Sequence, residues 1–269
     1  VPQNLLRLEE YHKYAVIEMG TNNPGEIATL AQCAPADIAI ITSIGDSHSG
    51  NFPRKNGILL EKIDIIRYMK KDAMAVVPLD LQELIGTTGV LEGRRVKTFG
   101  DCGADFNVEY IQGRLSGADL RIEGQNLQCS LSGRHQAQNI AACCLVMNQL
   151  GYQLDAYKIA LSQLELPGMR MKILEEQGVT WVNDAYNANP QSTAAFIHWL
   201  EGLPEVYENF KNRYLVLGDM LELGDHSLSF HQEIIEKLPT GWIVLGVGEN
   251  FSASHSSQLR LFSDSIEAS

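Results

Sequence analysis

Short apolar runs alternate with amphipathic stretches along the start of the chain. The runs at 14–20, 37–45 and 73–80 have the composition of buried strands, and the stretches at 24–34 and 56–69 have the apolar spacing of helices. Strands that alternate with helices are typical of βαβ units around a parallel sheet. The alternation therefore predicts an α/β fold with a mostly parallel first sheet.

The pattern changes between residues 95 and 132. Here the segments are short, have strand-like composition and are separated by Gly and Asp. They predict a small antiparallel appendage to the parallel sheet. Helix-like stretches follow at 136–150 and 154–164.

A Pro-Gly pair in "LELPGMRM", residues 164–171, is typical of a linker. Beyond it the alternation starts again, with strand-like "VTWVND", "RYLVLGDM" and "GWIVLGVG" and helix-like "PQSTAAFIHWLEGL" and "LSFHQEIIEKL". We therefore predict two α/β domains, residues 1–166 and residues 167–269.

Composition and charge exclude several classes of protein. Apolar residues make up 45% of the chain and charged residues 20%, which is typical of a folded core. A net charge of −12 argues against a nucleic-acid partner, because phosphate neutralisation needs clustered Lys and Arg. No apolar run reaches the length of about 18 residues that a membrane span needs. Five cysteines without a CxxC pair favour a reducing compartment, and we expect a cytoplasmic protein.

Ionisable residues stand where the predicted parallel strands end, which is where open α/β sheets bind ligands. Glu18 interrupts the first apolar run, His48 follows the second, and Lys62 lies on the helix before the third. Carboxylates are preferred ligands of Mg²⁺, and a buried unpaired carboxylate is costly. Each residue also has a structural interpretation: Glu18 as the partner of a lysine, His48 as an ordinary loop or core histidine, and Lys62 as a solvated charge.

Five polar side chains follow the apolar run at 179–182, at the turn into the next helix-like stretch. They are Asp184, Tyr186, Asn187, Asn189 and Ser192. An ordinary turn needs one or two residues of this kind. The excess predicts that something is bound at the end of this strand.

Three further residues have both functional and structural interpretations. His135 and Asn139 are four residues apart at the start of a predicted helix, so they share one face of it. They can contact a ligand, or they can serve as a helix cap and an exposed amide. Arg170 follows the linker and can pair with a phosphate or with a nearby glutamate. The sequence contains no GxxxxGK[ST] loop to hold a triphosphate.

Six motifs, in this order along nearly the whole chain, resemble those of the Mur ligase family. They are "VIEMGTNNPGEI", "ITSIGDSHSGNF", "GILLEKIDII", "GRHQAQNIAA", "DAYNANPQS" and "VLGDMLELG". The resemblance implies a central ATP-binding domain followed by a Rossmann-like C-terminal domain. It also implies a ligase that uses ATP and Mg²⁺ to join a carboxylate to an amine through an acyl phosphate. The last two motifs imply D-Ala-D-Ala as the amine and UDP-MurNAc-tripeptide as the carboxylate.

The resemblance also implies roles for individual residues. Glu18 and His48 match Mg²⁺ ligands, and Lys62 matches a lysine that is carbamylated and helps to hold a second Mg²⁺. Asn139 matches a residue near the adenine, and Arg170 and Asp184 match contacts to the ribose and phosphate. The remaining matches concern substrate binding. Asn22 lies in a motif that faces the substrate cleft, and Tyr186, Asn187 and Asn189 lie in the turn that positions the D-Ala-D-Ala amine.

The family's P-loop and N-terminal uridine-nucleotide domain have no counterpart in this sequence. We therefore expect the chain to be an excerpt of a longer, monomeric ligase and to be inactive by itself. Two alternatives remain open: a Mur-like ligase for another substrate, and a degenerate module that binds without catalysis.

Overall fold

The computed structural model describes residues 1–45, 52, 56–252 and 259–263. They form two compact units, one of Val1–Val108 with Gln138–Gln153 and the other of Glu109–Ala137 with Leu154–Ser269. The chain thus crosses between the units three times. The predicted domains 1–166 and 167–269 are continuous stretches, and their boundary stays a prediction.

The first unit is built on a parallel sheet. Its elements are α1 (Pro2–Leu5), α2 (Glu26–Cys33), β1 (Ile38–Ile40), α3 (Gly57–Lys62), α4 (Asp64–Arg67), β2 (Met74–Pro78), α5 (Leu79–Gly86) and β3 (Arg95–Gly100). Strand β2 pairs in parallel with β1 on one side and with β3 on the other. Every residue of β2 is buried, as expected of a strand covered on both faces. The predicted α/β fold is confirmed.

Two expectations for this unit are wrong. Residues 14–20 are irregular, and Val16 is 97% exposed. An apolar run becomes a strand only where a neighbour takes up its backbone hydrogen bonds, and no described strand pairs with it. Strand β3 does not belong to an antiparallel appendage, because α5 supplies the crossover that makes it parallel to β2.

Two tight hairpins contribute to the second unit. After β4 (Phe106–Arg114), strands β5 (Gly117–Ile122) and β6 (Gln125–Cys129) pair antiparallel. After α6 (Arg134–Gln149) and α7 (Leu154–Leu161), strands β7 (Lys172–Glu176) and β8 (Val179–Asn183) do the same. The two-residue turn between β7 and β8 has φ of 51° at Gln177 and 77° at Gly178, and such turns favour hairpins. The run 179–182 is therefore a strand, but it lies in a hairpin and not in the parallel sheet.

The rest of the second unit is a parallel sheet with helices. Its elements are α8 (Pro190–Glu201), α9 (Pro204–Asn209), β9 (Tyr214–Gly218), α10 (Ser227–Ile235), β10 (Ile243–Val247), α11 (Glu249–Ser252) and β11 (Leu259–Phe262). The strands run parallel in the order β11-β10-β9. Their core includes Leu203, Leu215, Met220, Leu223 and Phe251. Within the described residues, no helix combines the length and apolarity that crossing a membrane requires.

Candidate functional site

In the first unit, the segment before α2 is folded around Glu26. The backbone N–H groups of Asn22 and Asn23 donate to Glu26 Oε2 at 2.7 and 3.1 Å. These bonds, led by the one from Asn22, together with a bond from the Asn23 side chain at 2.9 Å, lower the pKa of Glu26 to about 2. The segment borders a shallow cleft of about 380 Å³, lined by Gly20, Pro24, Gly25, Glu26, Thr29 and Leu30. Asn22 therefore lies in an ordered turn beside a cleft.

Glu18 is exposed and lies in the irregular segment before this turn. The expectation that Glu18 is a buried carboxylate at a strand end is wrong, because the strand does not form. Its role as a metal ligand stays a prediction. His48 lies outside the described residues. Among the residues that the structure does describe, no three His, Cys, Asp or Glu side chains are grouped closely enough to hold a metal ion.

Lys62 ends α3 and is half-buried. Its Nζ donates to the backbone oxygen of Ser43 at 2.8 Å. Burial lowers the pKa of Lys62, because desolvation penalises the ammonium form. A lysine in this setting holds more neutral amine at a given pH than an exposed one does. Its interpretation as a fully solvated surface charge is therefore wrong.

In the second unit, Asp184 follows β8 directly. Its Oδ1 accepts the backbone N–H of Met171 at 3.0 Å. Burial raises the pKa of Asp184, and the Met171 N–H and the charges of His135 and Arg170 oppose that rise. The fold thus brings Asp184, Arg170 and His135 together, although they are far apart in sequence. Sequence spacing suggested only Asn139 as a neighbour of His135 and did not indicate its electrostatic interaction with Asp184.

Arg170 packs on Tyr186. The Arg170 guanidinium carbon lies 3.5 Å from the centre of the Tyr186 ring, and the Tyr186 N–H donates to the Met169 oxygen at 3.1 Å. Gly168 has a φ of 74°, and a Cβ there would lie 3.3 Å from the same ring. Arg170 has no ion pair with a glutamate among the described residues. Its Nη1 donates to the Pro167 oxygen at 3.2 Å, and its flat face lies on the Tyr186 ring; both partners are uncharged and leave the positive charge able to attract an anion.

The remaining predicted residues lie on α6 and at the start of α8. Asn139 is exposed on α6, four residues after the half-buried His135. Asn187 is exposed. Asn189 is the N-cap of α8: its side-chain oxygen accepts the Ser192 N–H at 2.9 Å, and Ser192 Oγ accepts the Asn189 N–H at 3.1 Å. Asn189 therefore stabilises the start of α8, whether or not it also contacts a substrate.

The capping box gives a first testable expectation. Asn189→Ala should lower the free energy of unfolding by about 1 kcal/mol, because it leaves N-terminal amides of α8 without a partner. Asn189→Asp should retain most of the stability, since aspartate is an equally good N-cap. Urea unfolding followed by tryptophan fluorescence measures both, because Trp181, Trp199 and Trp242 all belong to the second unit. Equal decreases in the free energy of unfolding for the two variants would contradict the capping role of Asn189.

Asp184 gives a pH-dependent expectation. Its folded pKa lies above the value of 3.8 expected for an unfolded Asp, so between these two values the native state holds a proton that the unfolded state has lost. Stability therefore falls as pH rises through that window. Asp184→Asn keeps an acceptor for Met171 but cannot ionise, so it should gain stability relative to the wild type as pH rises from about 3.8 through the raised pKa of the folded state.

Urea unfolding at several pH values measures this difference. Asp225→Asn, at an exposed acid of the same unit, is the matched control for the loss of one negative charge. A stability difference between Asp184→Asn and the wild type that stays constant with pH would contradict the expectation.

Comparison with known proteins establishes the family. Residues 1–147 match the model of the Mur ligase middle domain, and residues 169–264 match that of the Mur ligase, glutamate ligase domain. The chain belongs to the Mur ligase family, and the resemblance read from its motifs is confirmed.

Its relatives include UDP-N-acetylmuramoyl-tripeptide–D-alanyl-D-alanine ligases. The one from Bacillus subtilis is 32% identical over 240 residues, which cover 87% of this chain and 50% of that protein. The one from Escherichia coli is 29% identical and covers 94% of this chain and 57% of that protein. The chain therefore spans about half the length of the curated relatives it matches.

Solved structures give the same family. The crystal structure of MurF from Acinetobacter baumannii has a TM-score of 0.89 at 26% identity, covering 99% of this chain and 59% of that one. MurF from Thermotoga maritima in complex with ADP has a TM-score of 0.80 at 28% identity, covering 93% of this chain and 59% of that one.

Proposed function

We propose that the protein to which this chain belongs is an ATP-dependent ligase that adds D-Ala-D-Ala to UDP-MurNAc-tripeptide in peptidoglycan synthesis. The observation that carries the proposal is the joint placement of Arg170, Asp184 and Tyr186 in the second unit. There the Arg170 guanidinium lies on the Tyr186 ring and interacts electrostatically with the half-buried Asp184 carboxylate. Relatives that are named as ligases of this kind support the substrate assignment.

The reaction needs two negatively charged groups to approach each other. The tripeptide carboxylate attacks the terminal phosphate of ATP, which forms an acyl phosphate and releases ADP. The amine of D-Ala-D-Ala then attacks the acyl carbon, the amide forms, and phosphate leaves. Positive charge near the phosphates stabilises the charge that develops in the first step.

In this scheme each described residue has a limited task. Arg170, held flat against Tyr186, offers its guanidinium to a phosphate, and Asp184 accepts hydrogen bonds from ribose hydroxyls. Asn139 lies near the adenine. Asn22 contacts the tripeptide substrate, and Tyr186, Asn187 and Asn189 position the incoming dipeptide. The capping box uses the side-chain oxygen and the backbone N–H of Asn189, so the side-chain amide nitrogen is the group that we propose for that contact.

The proposed metal is Mg²⁺, and the chemistry of the donor set fits it. Glu18 offers an exposed carboxylate, and a carbamylated Lys62 would offer two more oxygens of the kind that Mg²⁺ prefers. Burial lowers the pKa of Lys62 and so raises the share of neutral amine, which is the form that reacts with carbon dioxide. With His48, these residues would hold Mg²⁺. When bound, Mg²⁺ neutralises charge on the phosphates.

We also propose that the protein acts in the cytoplasm as a monomer. All five cysteines are free in the structure, which suits a reducing compartment. Light scattering of the purified protein tests the monomer, and a dimer mass would contradict it.

The direct test uses the full-length gene product that contains these residues. It is incubated with ATP, Mg²⁺, UDP-MurNAc-tripeptide and either D-Ala-D-Ala or single amino acids, and the products are identified by mass spectrometry. The proposal expects UDP-MurNAc-pentapeptide with stoichiometric ADP and phosphate. Preference for another amine would favour a Mur-like ligase for a different substrate. A folded protein without ATP turnover would favour the non-catalytic module.

A further inference from the structure

Glu61 is a buried carboxylate that the proposed reaction does not use. It stands in the last turn of α3, immediately before Lys62, and is 5% exposed. No Lys, Arg or His among the described residues forms an ion pair with it. Burying a carboxylate without hydrogen-bond partners costs several kcal/mol, so its partners need an explanation.

Among the described residues, Glu61 accepts hydrogen bonds from the segment that leads into α2 and from the first turn of that helix. The Gly25 N–H donates to Glu61 Oε2 at 2.7 Å, and the Ile27 N–H donates to Oε1 at 2.8 Å. The hydroxyl of Thr21 donates to Oε1 at 3.1 Å. Gly25 is the N-cap of α2 and has no side chain to cap the helix. Glu61 thus caps α2 from another helix, at the end where a negative charge is favourable.

Glu26 is a second carboxylate that accepts hydrogen bonds from this segment, but its backbone donors differ from those of Glu61. Glu26 accepts the N–H groups of Asn22 and Asn23, its close neighbours in sequence. Its bonds order the segment internally but do not tie it to another element. The bonds of Glu61 join Thr21, Gly25 and Ile27 to α3, and α3 carries Lys62.

We propose that Glu61 is a positioning residue that fixes the segment of Asn22 to the helix of Lys62. This inference rests on the proposed function, in which Asn22 contacts the tripeptide substrate and Lys62 carries the carbamate. The chemistry needs the substrate carboxylate and the metal-bound phosphate at a constant separation. Glu61 supplies that constraint through one side chain between the two elements.

The informative substitution is Glu61→Gln, which keeps the size of the side chain. The Gln amide has one acceptor oxygen and one donor NH₂ group, so it cannot accept from Gly25 and Ile27 at opposite ends at once. At least one backbone N–H then loses its partner. Asp64→Asn is the matched control: Asp64 is also buried, on the adjacent helix α4, and it interacts with Glu61 electrostatically, but its ion-pair partner is Arg67 and not the segment before α2.

The first readout needs no substrate. Amide hydrogen exchange at Gly25 and Ile27, measured by NMR on the full-length protein, should accelerate by about tenfold or more in Glu61→Gln. It should stay at the wild-type rate in Asp64→Asn. Unchanged exchange in Glu61→Gln would overturn the proposal.

The second readout separates positioning from simple stability. In Glu61→Gln, the KM for UDP-MurNAc-tripeptide should rise about fivefold or more, while the KM for ATP stays within about twofold of wild type. Faster exchange with an unchanged tripeptide KM would reduce Glu61 to a helix cap and overturn the positioning role. If the proposed function itself fails, the wild type shows no turnover, and the exchange result still decides whether Glu61 attaches the segment to α3.

Discussion

Lys62→Arg is expected to lower the kcat of the full-length ligase by about 10²–10³-fold, the size of effect seen when one electrostatic catalytic group is lost. Arginine keeps a positive charge and can still donate a hydrogen bond to the oxygen of Ser43, as Lys62 does. It cannot be carbamylated, because the guanidinium has no free neutral amine. Loss of activity in this variant therefore distinguishes a carbamate from a cation.

Phosphate release with saturating substrates measures kcat, and ¹³C NMR after equilibration with labelled bicarbonate detects the carbamate carbon. We expect that carbon signal in the wild type and not in Lys62→Arg. Lys71→Arg, at an exposed lysine of the same unit, is the control and should retain wild-type turnover. An active Lys62→Arg enzyme would show that the residue acts as a cation and would remove it from the proposed metal site.

Leu223→Ala is expected to lower the free energy of unfolding of the second unit by about 2–5 kcal/mol, the usual range for a buried leucine. Leu223 is 2% exposed and belongs to the core cluster that also contains Leu217, Ile234 and Phe251. Truncation removes apolar contacts and leaves a cavity that close-packed neighbours fill only in part.

The matched control lies two residues away. Leu221 is 71% exposed, so Leu221→Ala makes the same chemical change at the surface and should alter stability by no more than about 0.5 kcal/mol. Tryptophan fluorescence during urea unfolding follows both variants, because all three tryptophans are in the second unit. Similar decreases in the free energy of unfolding for the two variants would contradict the assignment of Leu223 to the core of this unit.

Several parts of the fold could be predicted from the sequence because they depend on local periodicity. The helix stretches at 24–34 and 136–150 and the strand runs at 37–45 and 73–80 correspond to α2, α6, β1 and β2. In each case apolar residues at helical or strand spacing must be buried on one side, and this requirement is visible without knowing the neighbours. The α/β fold and the family follow from the same runs and motifs.

Pairing partners were less predictable. The run 179–182 is a strand as expected, but the positive φ values at Gln177 and Gly178 place it in a hairpin. The run 14–20 had strand composition and is irregular, because a strand depends on a ladder that the run itself cannot supply. Composition therefore identifies a segment that can become a strand, whereas its partner decides whether and in which sheet it does so.

The candidate site also combines features that the sequence predicted with features that it did not. The excess of polar residues at 184–192 was evident in the sequence, and it marked the turn that carries Asp184, Tyr186 and Asn189. The sequence did not indicate that Arg170 would stack on Tyr186, that His135 would face Asp184, or that Glu61 would cap α2. These relations join residues that are separate along the chain, and only the folded backbone brings them within contact distance.

The sequence by itself determined the fold class, the family and the type of residue at each proposed site position. Apolar periodicity is a local property, and the identity of a side chain is chemical information that needs no coordinates. The tertiary structure alone decided which carboxylates are hydrogen-bonded, which lysine is desolvated and which strands pair. Hydrogen bonds and desolvation act over a few ångströms in space, so their effects on Glu61, Lys62 and Asp184 depend on neighbours that the order of residues does not reveal.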